Sequence, residues 1–191
     1  MTNTKERILD ASSDLFRRQG YMGTGIKQIL TMANAPFGSL YHHFPGGKDE
    51  LAAETITRAG AFYADLVFEK LVAGPDLSTN IRDAFRSAGE TLIDTDYADA
   101  CPIETVALEV ANTNETLRIA TADVFESWIA GLAALLVMNG VADKTARSLA
   151  NVIISALEGA FVLARATRST AALHACGDAM ATLVREVVPT A

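Results

Sequence analysis

The chain has 191 residues, half of them apolar, and a formal net charge of -7. That length and apolar content exclude a disordered polymer and allow one large domain or two smaller ones. The acidic balance means that a phosphate backbone is repelled by most of the surface, so a nucleic-acid partner is tolerated only where the charge departs locally from the average.

It departs at the N-terminus. Residues 1–58 hold seven Lys/Arg against six Asp/Glu, a net of +1, whereas residues 59–191 hold nine against seventeen, a net of -8. Between Asp14 and Asp49 there is no carboxylate, yet Arg17, Arg18, Lys27 and Lys48 lie inside that window. The opening segment, MTNTKERILDASSDLF, alternates charge with apolar residues and lacks the unbroken apolar stretch of a signal peptide. The longest nearly apolar run, Trp128 to Met138, is too short to span a bilayer. Cys101 and Cys176 have neither metal-ligand spacing nor the density of a disulfide framework. A soluble cytoplasmic protein without cofactor or metal is the expectation.

Strand signals are almost absent, and apolar residues recur every three to four positions, so an all-α chain of about nine helices is predicted. The first helix carries Ile8, Ala11, Leu15 and Phe16 on one face, with Asn3 and Glu6 spaced as a capping box and Gly20 where a C-terminus needs positive φ. A short second helix follows Thr24 and Gly25, with Ile26, Ile29, Leu30 and Ala33 inward, and Asn34 is placed for a left-handed turn. Pro36 suits the opening of a third helix, about Phe37 to His43, stopped by Pro45-Gly46-Gly47.

Longer helices are predicted over about Lys48–Ala73, ending at Gly74-Pro75, and Leu77–Thr95, with a stripe of Ile81, Phe85, Ala88 and Leu92. A break at Asp94–Cys101 precedes a short helix opened by Pro102. Asn112 with Glu115 reads as a second capping box, for a helix carrying Leu117, Ala120, Val124, Trp128, Leu132 and Leu135 and closing at Asn139-Gly140. Asp143 is the expected cap of a helix reaching about Arg168, and a last helix spans about Ala171 to Val188. These two final helices are apolar on more than one side and therefore buried on more than one side. Either a partner chain supplies the second burial, in a two-fold four-helix bundle, or the pair is a fully buried hairpin in one monomer. The first reading places Ile153, Ile154, Leu157, Phe161, Leu173, Cys176, Met180 and Leu183 at a dimer interface.

The segments KERILDASSDLFRRQGY and GIKQILTMANAPFGSLYHHFPGGKDEL resemble the DNA-binding domain of the TetR family of bacterial transcriptional repressors. The run APFGSLYHHFPGGK is similar to the LmrA/YxaF-type branch, associated with repressors of drug-efflux operons. The close match covers about the first 55 residues; CPIETVALE and a helix with Trp128 extend it more weakly. The resemblance implies a helix-turn-helix domain over residues 1–47 and an effector-binding and dimerisation domain over 48–191. It implies a homodimer that binds a palindromic double-stranded DNA operator and is released by a small hydrophobic effector, with no membrane partner.

By the same resemblance the helix Phe37–His43 is the recognition helix in the major groove. Gly38 lets the backbone approach the duplex, and Ser39 reaches a base edge or phosphate. Tyr41 and His42 meet phosphate oxygens, Thr24 and Lys48 are further phosphate clamps at helix starts, and Lys27 reaches phosphate or a base. Leu40 and Phe44 are the inward anchors. Phe37 departs from the branch, which usually has a basic residue there; a phenyl ring can only make apolar contact, for example with thymine methyls.

An effector lining is expected from Phe62, Leu66, Phe85, Cys101, Val106, Phe125, Trp128 and Phe161, although each is also an ordinary core type. Glu104, Glu109 and Glu158 could attract a cationic ligand or simply form salt bridges. Cys101 lacks an adjacent base that would make it a redox trigger, and Cys176 reads as a small apolar filler. An enzyme is not expected: there are only three His, two of them inside the DNA motif, no glycine phosphate cradle, and no nucleophile–base spacing. The remaining alternative is a small-molecule-binding module without operator binding.

Overall fold

The computed structural model describes residues 3–74, 76–99 and 101–189. Among the described residues there are nine α-helices and no strand. They are α1 (Thr4–Gln19), α2 (Ile26–Met32), α3 (Ser39–His43), α4 (Gly47–Ala73), α5 (Leu77–Asp94), α6 (Pro102–Val110), α7 (Glu115–Met138), α8 (Asp143–Thr167) and α9 (Ala171–Val187). Pro75, expected to end the fourth helix, and Ala100, inside the expected break, lie outside the described residues.

Local chemistry sets most of the boundaries. The Asn3 side chain accepts from the Glu6 amide at 2.9 Å while Glu6 accepts from the Asn3 amide at 3.1 Å, so the predicted capping box forms. Gly20 closes α1 at φ 74°, and Asn34 takes the left-handed conformation after α2 at φ 47°. The third helix starts two residues later than expected, because Pro36 opens a turn instead, its carbonyl accepting from the Ser39 amide at 2.9 Å.

Two caps differ from expectation. Asn114, not Asn112, caps α7, its carbonyl oxygen accepting from the Leu117 amide at 3.1 Å; both asparagines sit in one tight turn, and only Asn114 is adjacent to the first helical residue. Asp143 is the first residue of α8 rather than its cap, a role taken by Ala142 without a side-chain bond. Asp143 there still complements the positive end of the helix dipole.

The chain forms two compact units, with the boundary falling inside α4 and α7. One, called the head here, runs through Phe62 and also contains α6 and α7 up to Val124; the other, the body, holds Tyr63–Asp99 and the chain from Phe125 onward. The head is thus larger than the 1–47 helix-turn-helix segment and is discontinuous in sequence.

The head core joins Ile8, Leu9, Ala11 and Leu15 of α1 to Ile29, Leu30 and Ala33, and to Leu40, Phe44 and Leu51. In the body, α5 packs along α9 and α8 packs against α9, around Ile81, Phe85, Leu92, Leu149, Ile153, Leu173, Met180 and Val184. Each such aliphatic or aromatic side chain contributes about 1.5–3 kcal/mol by leaving water.

Ile153, Leu173 and Met180, expected at a dimer interface, are instead buried in this core of their own chain. A helix apolar on two sides does not reveal in sequence which side its own chain covers. The helices α7 and α8 are each long and apolar enough to cross a membrane, at a mean hydropathy of 1.5, which the short Trp128–Met138 run did not suggest.

Candidate nucleic-acid interface

Placing a five-residue helix accurately requires anchoring it from outside, since so short a helix has no stability of its own. The anchors are Leu40 and Phe44, both 0% exposed. The Phe44 amide donates to the Leu40 carbonyl at 2.7 Å, and the Lys5 ammonium lies 5.4 Å from the Phe44 ring centroid. With that face fixed, the opposite face is turned to solvent. Phe37 is 59% exposed and Tyr41 53%, and Gly38 and His42 are exposed beside them. Ser39 is half-buried, and His43 packs edge-on to both His42 and Phe44.

Gly38 is informative. Its backbone is ordinary right-handed helix at φ -65° and ψ -18°, and a Cβ there would meet no atom of this chain within 4 Å. A side chain at this N-cap position would therefore face open space. Lys27 on α2 is also exposed, in the stretch that lacks carboxylates.

Of the two expected phosphate clamps, one side chain is buried and the other is half-buried and bonded within the chain. Thr24 is buried; its hydroxyl donates to the Gly20 carbonyl at 2.6 Å and accepts from the Gln19 amide nitrogen at 3.2 Å. It holds the α1–α2 turn instead of presenting an oxygen to a ligand. The Lys48 ammonium donates to the Tyr21 carbonyl at 2.7 Å and sits 3.9 Å from the centre of the Tyr21 ring. Burial lowers the pKa of Lys48 from its ordinary value, while the charges of Asp49 and Glu109 act to keep it protonated. Lys48 is first a brace between α4 and the turn after α1.

Tyr21 completes that brace, its phenol donating to Asp49. Burial, then this bond, then the Asp49 charge push the Tyr21 hydroxyl well above its usual pKa, so it remains a donor. The Asp49 carboxylate also accepts from the Asn114 side chain at 2.9 Å. Glu109 at the end of α6, considered in sequence as a lure for cationic ligands, accepts instead from the Met22 amide at 2.9 Å. Arg7 was likewise unforeseen: its Nε donates to the Ala33 carbonyl at 2.9 Å and its terminal nitrogen to the Asn34 carbonyl at 3.2 Å, closing the C-terminal end of α2. Nothing in local spacing signals these bonds, because their partners lie 26 to 87 residues away.

The expected effector residues divide between the units. Phe62, Cys101 and Val106 belong to the head; Leu66, Phe85, Phe125, Trp128 and Phe161 belong to the body. Phe85, Cys101 and Val106 are buried, Phe85 within the body core. The Cys101 sulfur in addition caps α6, accepting from the Glu104 amide at 3.5 Å. Phe62 and Leu66 are exposed, and Phe125 and Trp128 meet edge to face with ring centres 5.7 Å apart.

The residues left for a dimer face are the half-buried Ile154, Leu157, Phe161 and Cys176 and the exposed Leu183. Beside them Val152, Val162 and Leu163 stand exposed on α8.

Comparison with known proteins covers nearly the whole chain. Residues 8–55 match the family of bacterial regulatory proteins named tetR, and residues 78–179 match the C-terminal domain of LmrA/YxaF-like transcriptional regulators. The chain is 34% identical over 184 residues to YxaF, an HTH-type transcriptional regulator of Bacillus subtilis, covering 96% of each protein. It is 31% identical over 173 residues to the HTH-type transcriptional regulator LmrA of the same organism, covering 90% of this chain and 92% of LmrA. A TetR transcriptional regulator from Chloroflexus aurantiacus superimposes with a TM-score of 0.82 at 28% identity, over 98% of this chain and 97% of that one. The structure of a Legionella pneumophila TetR regulator, at 24% identity and a TM-score of 0.81 over 99% of both chains, has the same fold. The chain belongs to the TetR family of helix-turn-helix transcriptional regulators, within its LmrA/YxaF-like branch.

Proposed function

We propose that the protein is a repressor that binds a palindromic operator as a homodimer and leaves it when a small hydrophobic molecule binds. The observation that carries the operator half of this reading is the outward face of α3. There Phe37, Gly38, Tyr41 and His42 are exposed while Leu40 and Phe44 are locked inside. The face lies in the segment without carboxylates, where a phosphate backbone meets the least repulsion in an otherwise acidic chain. Tyr41 and His42 supply donors for phosphate oxygens, Ser39 and Lys27 reach phosphate or base edges, and Phe37 favours thymine methyls over the guanine edge that a basic residue would read.

Two-fold pairing through α8 and α9 is supported by their uncovered apolar side chains, Val152, Val162, Leu163 and Leu183. Gly159, in the same exposed stretch of α8, has a Cβ position open to solvent. A glycine inside a helix costs about 1 kcal/mol relative to alanine, and close approach of a second helix offsets that. Paired recognition helices one turn of DNA apart then fix the palindrome spacing at roughly 34–36 Å. Release needs only that the effector favour a conformation in which this spacing is lost.

The test is selection of duplexes from a random pool by purified protein at low salt. Enrichment of an inverted repeat whose half-sites carry thymine near the centre is expected. A protein that enriches no duplex, yet is stabilised by hydrophobic small molecules, would be a ligand-binding module instead.

A further inference from the structure

The head contains a stretch of chain, α6 and the turn after it, that contributes no residue to the outward face of α3. Two side chains from this stretch are seated on the α1–α2 turn and on the first turn of α4. The Glu109 carboxylate accepts the Met22 amide at 2.9 Å, and it lies so close over Gly20 that a Cβ at that position would collide with it. Gly20 stands at φ 74°, a conformation that already favours glycine, so backbone and carboxylate fix each other. Five residues on, Asn114 donates to Asp49 at 2.9 Å while its own carbonyl oxygen caps α7. Asp49 takes the phenol of Tyr21, and Tyr21 in turn carries the ammonium of Lys48 on its carbonyl and ring.

Building on the operator-binding reading, we propose that Glu109 is a positioning residue for DNA binding, which with Asn114 makes α6 and its following turn a structural part of the DNA-binding head. The Gly20–Met22 turn sets where α2 begins, since Thr24 donates to the Gly20 carbonyl through its hydroxyl and to the Tyr21 carbonyl through its amide. The start of α2 in turn bears on the seat of α3, because the anchors Leu40 and Phe44 share one buried cluster with Ile29 and Leu30 of α2 and with α1. A carboxylate on the Met22 amide therefore holds the far end of the chain of contacts that aims α3. Without it the turn has the same sequence and the same buried core, but one fewer directional constraint.

The experiment uses the full chain and a duplex selected from a random pool, read by fluorescence anisotropy. Met22 amide exchange is followed by NMR, and thermal midpoints are recorded beside an Asp10→Ala control. Asp10 pairs with Arg58 on the head surface and is remote from the turn in sequence. Glu109→Ala is expected to weaken duplex binding about tenfold and to speed Met22 exchange, with a thermal midpoint no lower than the control's. Glu109→Gln, which keeps an oxygen to accept the amide, should recover most of both. Wild-type duplex affinity in Glu109→Ala, or a Gln variant as weak as Ala, overturns the proposal. Should the wild-type protein select no duplex, operator binding itself falls; Met22 exchange then still decides, and a rate unchanged by Glu109→Ala overturns the clasp.

Discussion

The head and the body are held together by different means. In the head, polar side chains reach across long sequence separations: Arg7 to the end of α2, Lys48 to Tyr21, Glu109 to Met22, Asn114 to Asp49, Lys5 to Glu54 at 2.7 Å and Arg58 to Asp10 at 2.8 Å. In the body, long helices lie along one another over a broad aliphatic interior, with surface ion pairs such as Arg147 to Glu126 and Arg168 to Asp96. Apolar packing is strong but undirected, whereas hydrogen bonds are individually weak and fix orientation. The unit that must aim a five-residue helix uses direction; the unit built from long helices uses area.

That contrast can be broken most forcefully in the body. Phe85→Ala empties a position only 2% exposed and should cost about 3–5 kcal/mol in denaturant unfolding. A much smaller loss would mean that the α5–α9 contact is not what holds the body. Leu163→Glu puts a charge on an α8 side chain that is 55% exposed within the chain. It should leave helix content nearly unchanged yet convert dimers to monomers by light scattering, with loss of full-operator binding. A dimer that persists would show that this face is not the one that pairs.

In the head, Arg7→Ala removes two bonds to carbonyls of the α2 C-terminus while leaving the apolar core intact. A loss of about 1 kcal/mol is expected, together with faster amide exchange around Asn34 by NMR, because the α2–α3 turn is freed. An exchange pattern unchanged there would mean that apolar contacts alone orient the turn. The smallest effect is at Asp76, which caps α5 through Ser78 and Thr79 and whose carboxyl these bonds hold down at about 2. Its folded pKa lies below the ordinary carboxylate value, so the stabilisation is present above about pH 4 and is lost as pH falls toward 2. The thermal-midpoint gap between wild type and Asp76→Asn should therefore be constant from pH 7 to 5 and close below pH 4.

Most helices were legible in the sequence because amphipathic spacing and caps are local. Asn3 with Glu6, Gly20 and Asn34 each act on backbone within four residues, and each takes the predicted conformation. Leu40 and Phe44 were expected inside from the family resemblance rather than from spacing, and both are buried. What escaped was anything that depends on a distant partner. The bond of the Thr24 hydroxyl to the Gly20 carbonyl and that of the Lys48 ammonium to the Tyr21 carbonyl are invisible to local spacing. Ile153, Leu173 and Met180 were placed on the wrong side of their helices because periodicity cannot distinguish two buried faces. Asn112 and Asn114 offered the same chemistry two residues apart, and only the helix start decides between them.

The seating of Glu109 over Gly20 bears on the way such regulators are recombined. A chimera that grafts a foreign reading head by cutting inside α4 keeps the recipient's α6 and so brings together a carboxylate and a turn that did not evolve as a pair. A graft that also carries residues 101–124 preserves the Glu109–Met22 and Asn114–Asp49 bonds. The transferable cassette is two segments rather than one.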